Sequence, residues 1–185
     1  MSKHGLKNNV CFMLKVFQWT KPTYYTLTAY LVDPKIICSV GRTKEEFKHE
    51  AAGTNLYLKN GTHNILIPKH ESDLANTNWT LGACFPSMGT HYWYSTSKDM
   101  NCKEFQPFFL LYNRKKFTAF GFVAFGGWEF SSYRYEQHPP KLTYRLFMKE
   151  VPKCIPDVVE GIINKIFPVV TLHVYLNFKP WNIIC

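Results

Sequence analysis

Three histidines and one glutamate carry most of the chemistry available to this sequence. His91 lies in the stretch Cys84-Phe85-Pro86-Ser87-Met88-Gly89-Thr90-His91-Tyr92-Trp93-Tyr94. Glu136 and His138 lie in Arg134-Tyr135-Glu136-Gln137-His138-Pro139-Pro140, and His173 stands in an apolar run near the C-terminus. Imidazole and carboxylate ligands with an open coordination position suit zinc, copper or iron, and such a centre supports hydrolysis or oxygen chemistry. The separations are long, so a transition-metal site centred on His91 needs the fold to bring Glu136 or His138, and His173, to it. The plainer expectation is structural: His91 hydrogen-bonded in a loop, Glu136 paired with Arg134 or a lysine, and His173 facing solvent. An isolated histidine is more often structural than a ligand.

Other catalytic signatures are missing. The sequence has no HExxH, no P-loop and no GxGxxG. Ser87 precedes Met88-Gly89 as in half of a nucleophile elbow, but Phe85 stands where that strained turn needs a small residue. A second kind of site is apolar. Tyr92, Trp93 and Tyr94, with Phe120 and Phe122 further on, are the aromatics best placed to wall a small-ligand pocket, although a filled aromatic core is the commoner outcome.

Composition bounds the partners. The 185 residues fit one domain and can bury a sizeable core; 46% are hydrophobic and 19% charged, which excludes a disordered chain. The 15 Phe, 11 Tyr and 5 Trp favour strands. A net charge of +9, from 22 Lys+Arg against 13 Asp+Glu, draws the surface to acidic glycans, phosphates or anionic membranes. Nucleic acid is an unlikely partner, because no recognition helix or aromatic strand motif is readable. The densest basic cluster, Arg114-Lys115-Lys116, reads as a solvated hairpin tip.

The six cysteines, Cys11, Cys38, Cys84, Cys102, Cys154 and Cys185, contain no CxxC pair, so a zinc ribbon or thioredoxin-type site is disfavoured. Three disulfides fit better, with fifteen possible pairings; Cys84 with Cys102, the nearest pair in sequence, is the most plausible local bridge. The sequons at Asn60 and Asn78 also point outside the cell. Against this, Lys15 interrupts the only apolar stretch near the N-terminus, which makes a poor signal peptide. The expectation is an extracellular protein, with a leader absent from this start or an unconventional export route; a cytoplasmic location with reduced thiols is the alternative. The most apolar uncharged runs, 117–128 and 166–178, fall short of the ~20 residues a membrane helix needs.

The positioning elements follow from local pattern. Residues 1–20 read as an arm and 21–185 as a single β-rich domain. Residues 24–32 are β-branched and aromatic, hence a strand, and Thr43 with Glu46 has capping-box spacing for a short helix ending near Gly53. A short strand over 64–67 is closed by Pro68. A turn on Pro86 and Gly89 delivers His91 into an aromatic strand. Residues 106–112 and 116–125 form a hairpin apolar on nearly every position, as expected of strands covered on both faces, with Gly121 marking a bulge or close backbone approach. Residues 142–148 have no clear type. A short amphipathic helix follows Pro156. Over 169–178, Val170, Leu172, Val174 and Leu176 alternate with Thr171, His173 and Tyr175, which places His173 away from the apolar face. The expected fold is mainly β, with α+β as a variant: a curled antiparallel sheet, sandwich or barrel, with one or two short helices.

The series CFPSMGTHYWY (84–94), PFFLLYNRKKFTAFGF (107–122), RYEQHPP (134–140) and LHVYL (172–176) resembles a group of uncharacterised invertebrate proteins. These carry Gly-x-His-Tyr-Trp, an apolar FLLY hairpin and Tyr-Glu-x-Pro-Pro, the last met here with one residue more between Glu136 and Pro139. A fainter similarity is to bacterial β-rich domains with a Met-Gly-x-His-Tyr turn. The resemblance spans about residues 30–185 and implies no activity; it singles out His91 and Glu136. Three functions are open: a secreted binding protein for an apolar or aromatic small ligand, a metal-dependent enzyme centred on His91, or a basic structural protein contacting acidic glycans.

Overall fold

Strand alternation and turn chemistry account for most of the elements observed. The computed structural model describes residues 27–37, 39–50, 53, 55–125, 132–138, 140–155, 169–176 and 180–184. The arm over 1–20, the Gly126-Gly127 break, the helix expected after Pro156, and Cys11, Cys38 and Cys185 lie outside them. The chain divides into two units, residues 1–67 and 68–185, at a point where the sequence has no linker. No helix among the described residues is long and apolar enough to cross a membrane.

The first unit holds β1 (Ala29–Tyr30), α1 (Pro34–Ile37), α2 (Lys44–Glu50), β2 (Tyr57–Asn60) and β3 (His63–Leu66). The three strands form an antiparallel sheet in the order β1-β2-β3. α2 starts at the expected capping box: the Glu46 N–H donates to Thr43 Oγ1 at 3.2 Å, and the Thr43 N–H donates to Glu46 Oε2 at 2.6 Å. The Thr43 N–H and the Thr43 hydroxyl, both donating to the carboxylate, hold the Glu46 carboxyl below its ordinary value. Gly61, at φ +57, supplies the left-handed turn that joins β2 to β3.

The second unit holds β4 (Trp79–Phe85), β5 (Gly89–Tyr94), β6 (Phe108–Asn113), β7 (Lys116–Phe125), β8 (Tyr135–His138), α3 (Pro140–Phe147) and β9 (Val169–Tyr175). Its six strands form one antiparallel sheet in the order β4-β5-β6-β7-β9-β8. Among the described residues the fold is thus mainly β with few short helices, and its sheets do not close into a barrel. Residues 142–148, of unclear type in sequence, lie mostly in α3.

The β6–β7 hairpin is buried on both faces, as its continuous apolar pattern requires. Phe109, Leu111, Ala119 and Val123 join a core with Trp93, Tyr144, Phe147, Met148, Ile155 and Val169 on the α3 side. Phe108, Leu110, Tyr112 and Phe120 are buried on the other side. Gly121 marks a close approach, and the register shift of this hairpin falls instead between Leu111 and Tyr112. A Cβ at Gly121 would stand 2.2 Å from Phe109 Cζ and 2.7 Å from the Leu172 carbonyl oxygen. The Phe109 ring therefore lies flat against the sheet. Gly121→Ala is expected to cost about 1–3 kcal/mol, read as a lower urea midpoint at unchanged slope.

Two sequence expectations are corrected here. Cys102 is bonded to Cys154, not to Cys84, which is itself disulfide-bonded. Proximity along the chain misled, because residues 98–104 are zipped to the segment after α3: the Lys153 N–H donates to Lys98 O, and Lys153 Nζ pairs with Asp99. This leaves the Cys102 and Cys154 Cα atoms 5.6 Å apart, within bridging distance. The second correction is His173, whose side chain is only 4% exposed rather than solvent-facing. The alternation in β9 holds, but Thr171 and His173 line an interior cavity with Tyr144 and Phe147 of α3. Leu172 and Val174 on the other face are half-buried, and Leu176 just beyond β9 is exposed.

Candidate functional site

His91 reaches the interior through three local features. The β4–β5 turn, with Ser87 at φ 68 and Gly89 at φ 101, starts β5 at Gly89, so His91 and Trp93 fall on the α3 side. A Cβ at Gly89 would also stand 2.5 Å from Tyr112 O, so both conformation and space call for glycine. Between Leu81 and Cys84 the β4 register shifts, so Gly82 and Ala83 together oppose His91. The bulge turns the Ala83 carbonyl out of the ladder, and His91 Nδ1 donates to it at 3.1 Å. A carbonyl only accepts, so Nδ1 carries the proton and Nε2 the lone pair.

The register then builds the site across the sheet. Trp93, Phe109, Gly121 and His173 lie in one row over β5, β6, β7 and β9, and Val123, Thr171 and Glu136 lie in another. The Phe109 ring contacts both imidazoles, at centroid distances of 5.4 Å to His91 and 5.2 Å to His173. Phe147 of α3 packs on His91 at 5.5 Å. The buried Trp93 Nε1–H donates to Phe147 O at 2.9 Å and ties the end of α3 to the sheet, an approach open only because Gly82 has no side chain. These groups enclose a cavity of about 10 Å³, the room of about one water, lined by His91, Trp93, Phe109, Thr171, His173 and the α3 residues Tyr144 and Phe147 among others.

Burial among aromatic rings pushes the His91 imidazole down to about 3, against the weaker opposing effect of its bond to Ala83. It is neutral at physiological pH, so Nε2 keeps its acceptor lone pair. Burial likewise pushes the Tyr144 hydroxyl up to about 12. His173 Nδ1 stands 3.6 Å from Glu136 Oε2, whose carboxylate is 44% exposed at the edge of the sheet.

The four metal-ligand candidates therefore share one face without forming a cluster. His91 and His173 line the same cavity, and Glu136 meets His173. His138 falls on that face by register, opposite Val169, with its side chain outside what is described. Among the described residues, no three His, Cys, Asp or Glu side chains gather at a point that would hold a metal ion. The five aromatic candidates are split by the sheet. Trp93 lines the cavity, while Tyr92, Tyr94, Phe120 and Phe122 project from the opposite face. Sequence reasoning missed Thr171 and Tyr144; their only signals were β9 alternation and a segment whose helical character was not recognised.

The opposite face has its own polar contacts. The Tyr92 hydroxyl donates to Glu71 Oε1 at 2.7 Å, and the Tyr112 hydroxyl donates to Pro68 O at 2.6 Å. The two rings meet edge to face at 5.4 Å. They hold residues 68–74, which end in a 3₁₀ turn over Glu71–Leu74, against the sheet. Compared with protein-family models, curated protein sequences and solved structures, the chain matches none.

Proposed function

We propose that this chain is a secreted, N-glycosylated binding protein that holds a small apolar or aromatic ligand between the six-stranded sheet and α3. One observation carries the reading: two imidazoles from distant parts of the chain meet in one cavity whose other walls are almost wholly apolar. An apolar enclosure with a few convergent polar groups is the usual form of a small-molecule site. The lone pair of neutral His91 selects for a ligand with one hydrogen-bond donor, such as a phenol or an indole. The cavity holds no more than about one water in this state, so the ligand enters as α3 shifts from the sheet.

The Cys102–Cys154 disulfide supports an oxidising compartment. Asn60 and Asn78, both exposed, are the expected glycan sites. Titration of the folded protein with apolar fluorescent probes and a phenol series tests the reading. Saturable binding is expected, and Val123→Phe, which fills the cavity, should abolish it. A folded protein that binds no probe saturably rules the proposal out.

A further inference from the structure

The basic cluster at the β6–β7 turn is larger in space than in sequence. The segment before the Glu71–Leu74 turn pairs with the start of β7. His70 bridges Lys116, the Glu71 N–H donates to Lys115 O at 2.9 Å, and the Phe117 N–H donates to Lys69 O at 2.9 Å. Lys69 and His70 are thereby zipped beside Arg114, Lys115 and Lys116, and all five side chains are exposed. No ion pair among the described residues engages any of them. Two carboxylates follow His70 in sequence, and each accepts from a neutral hydroxyl. Glu71 accepts from Tyr92, and Asp73 accepts from Ser72 Oγ at 3.1 Å.

Arg114 and Lys115 occupy left-handed conformations, at φ 49 and 64, in a two-residue hairpin turn where glycine and asparagine are strongly preferred. The fold thus keeps two cationic side chains where smaller residues would relieve strain, and strain retained at an exposed site points to a role for those side chains. We propose that this ridge binds a linear sulfated polysaccharide, with Lys69, Arg114, Lys115 and Lys116 contacting successive anionic groups. Neither of the other polyanions fits as well. Single-stranded nucleic acid needs exposed rings for base stacking, and the neighbouring Tyr112 is buried with its hydroxyl engaged. Stable anchoring to a membrane takes inserted apolar side chains besides basic charge, and among the described residues none of the exposed large hydrophobics belongs to the ridge. This site is separate from the cavity under α3 and does not depend on it.

The test is retention on immobilised heparin as a function of salt. Two variants are compared, each losing three positive charges: Arg114→Gln/Lys115→Gln/Lys116→Gln on the ridge, and Lys98→Gln/Lys103→Gln/Lys149→Gln at exposed positions elsewhere. The ridge variant should elute at much lower salt, with the slope of log affinity against log salt falling by about one per lost contact; the control should stay close to the parent. Arg114→Asn/Lys115→Gly should raise the urea midpoint while weakening retention, which separates binding from folding. Equal losses in both triple variants, or no retention of the parent at low salt, would overturn the ridge assignment. Tighter binding to single-stranded DNA or to phosphatidylserine vesicles than to heparin would overturn the choice of partner.

Discussion

Acidification is expected to destabilise this protein strongly through the buried imidazole of His91. In the unfolded chain His91 takes up a proton near its ordinary value of 6.5, whereas in the folded protein it does so only near 3. Between those limits the unfolded state binds more protons, so stability rises with pH and is lost as pH falls. The slope is about 1.4 kcal/mol per pH unit, on the order of 5 kcal/mol over the whole window. Other carboxylates begin to protonate near pH 4, so the range from about 6 to 4.5 isolates the histidine best. Urea midpoints measured across that range should fall steadily for the parent and less steeply for His91→Gln. The glutamine is itself destabilising, because it packs less well among Phe109 and Phe147, but the readout is the slope. Parallel slopes for the two proteins would mean that His91 is not buried as described.

The second large effect is on the disulfide. Cys102–Cys154 closes a separation of 52 residues, and losing it should cost about 4 kcal/mol through the freedom regained by the unfolded chain. The loss is not only entropic here. Residues 148–155 carry Met148 and Ile155 into the core beside Phe147, so the bridge also pins the cover of the His91 cavity. Cys102→Ser/Cys154→Ser should therefore bind apolar probes more readily than the parent while melting at lower temperature. A variant that melts normally would show that the salt bridge and backbone bond of Lys153 hold this segment unaided.

These two predictions draw on different kinds of information. The capping box at Thr43, the turn before β5 and the β6–β7 hairpin are legible in sequence because each is decided by neighbours a few residues apart. Gly121 announced a close approach for the same reason, although only the register reveals Phe109 as the approaching group. The placement of His91 on an aromatic strand was readable, but its burial was not. Burial depends on the Ala83 bulge and on α3, which lies far along the chain. His173 shows the limit most clearly: alternation fixes which residues share a face and leaves open which face α3 will cover.

Charge and covalent pairing follow the same division. The sequence alone determines that the chain is basic, aromatic, β-rich and provided with six cysteines. Composition and short-range periodicity are summed or local quantities, and no fold is needed to evaluate them. Only the tertiary structure decides that Cys102 meets Cys154, that Lys69 and His70 join the cluster at Arg114, and that His91 and His173 share a cavity. Each of these is a contact between segments far apart in sequence. It is set by strand register and by the packing of α3 on the sheet, which no local pattern encodes.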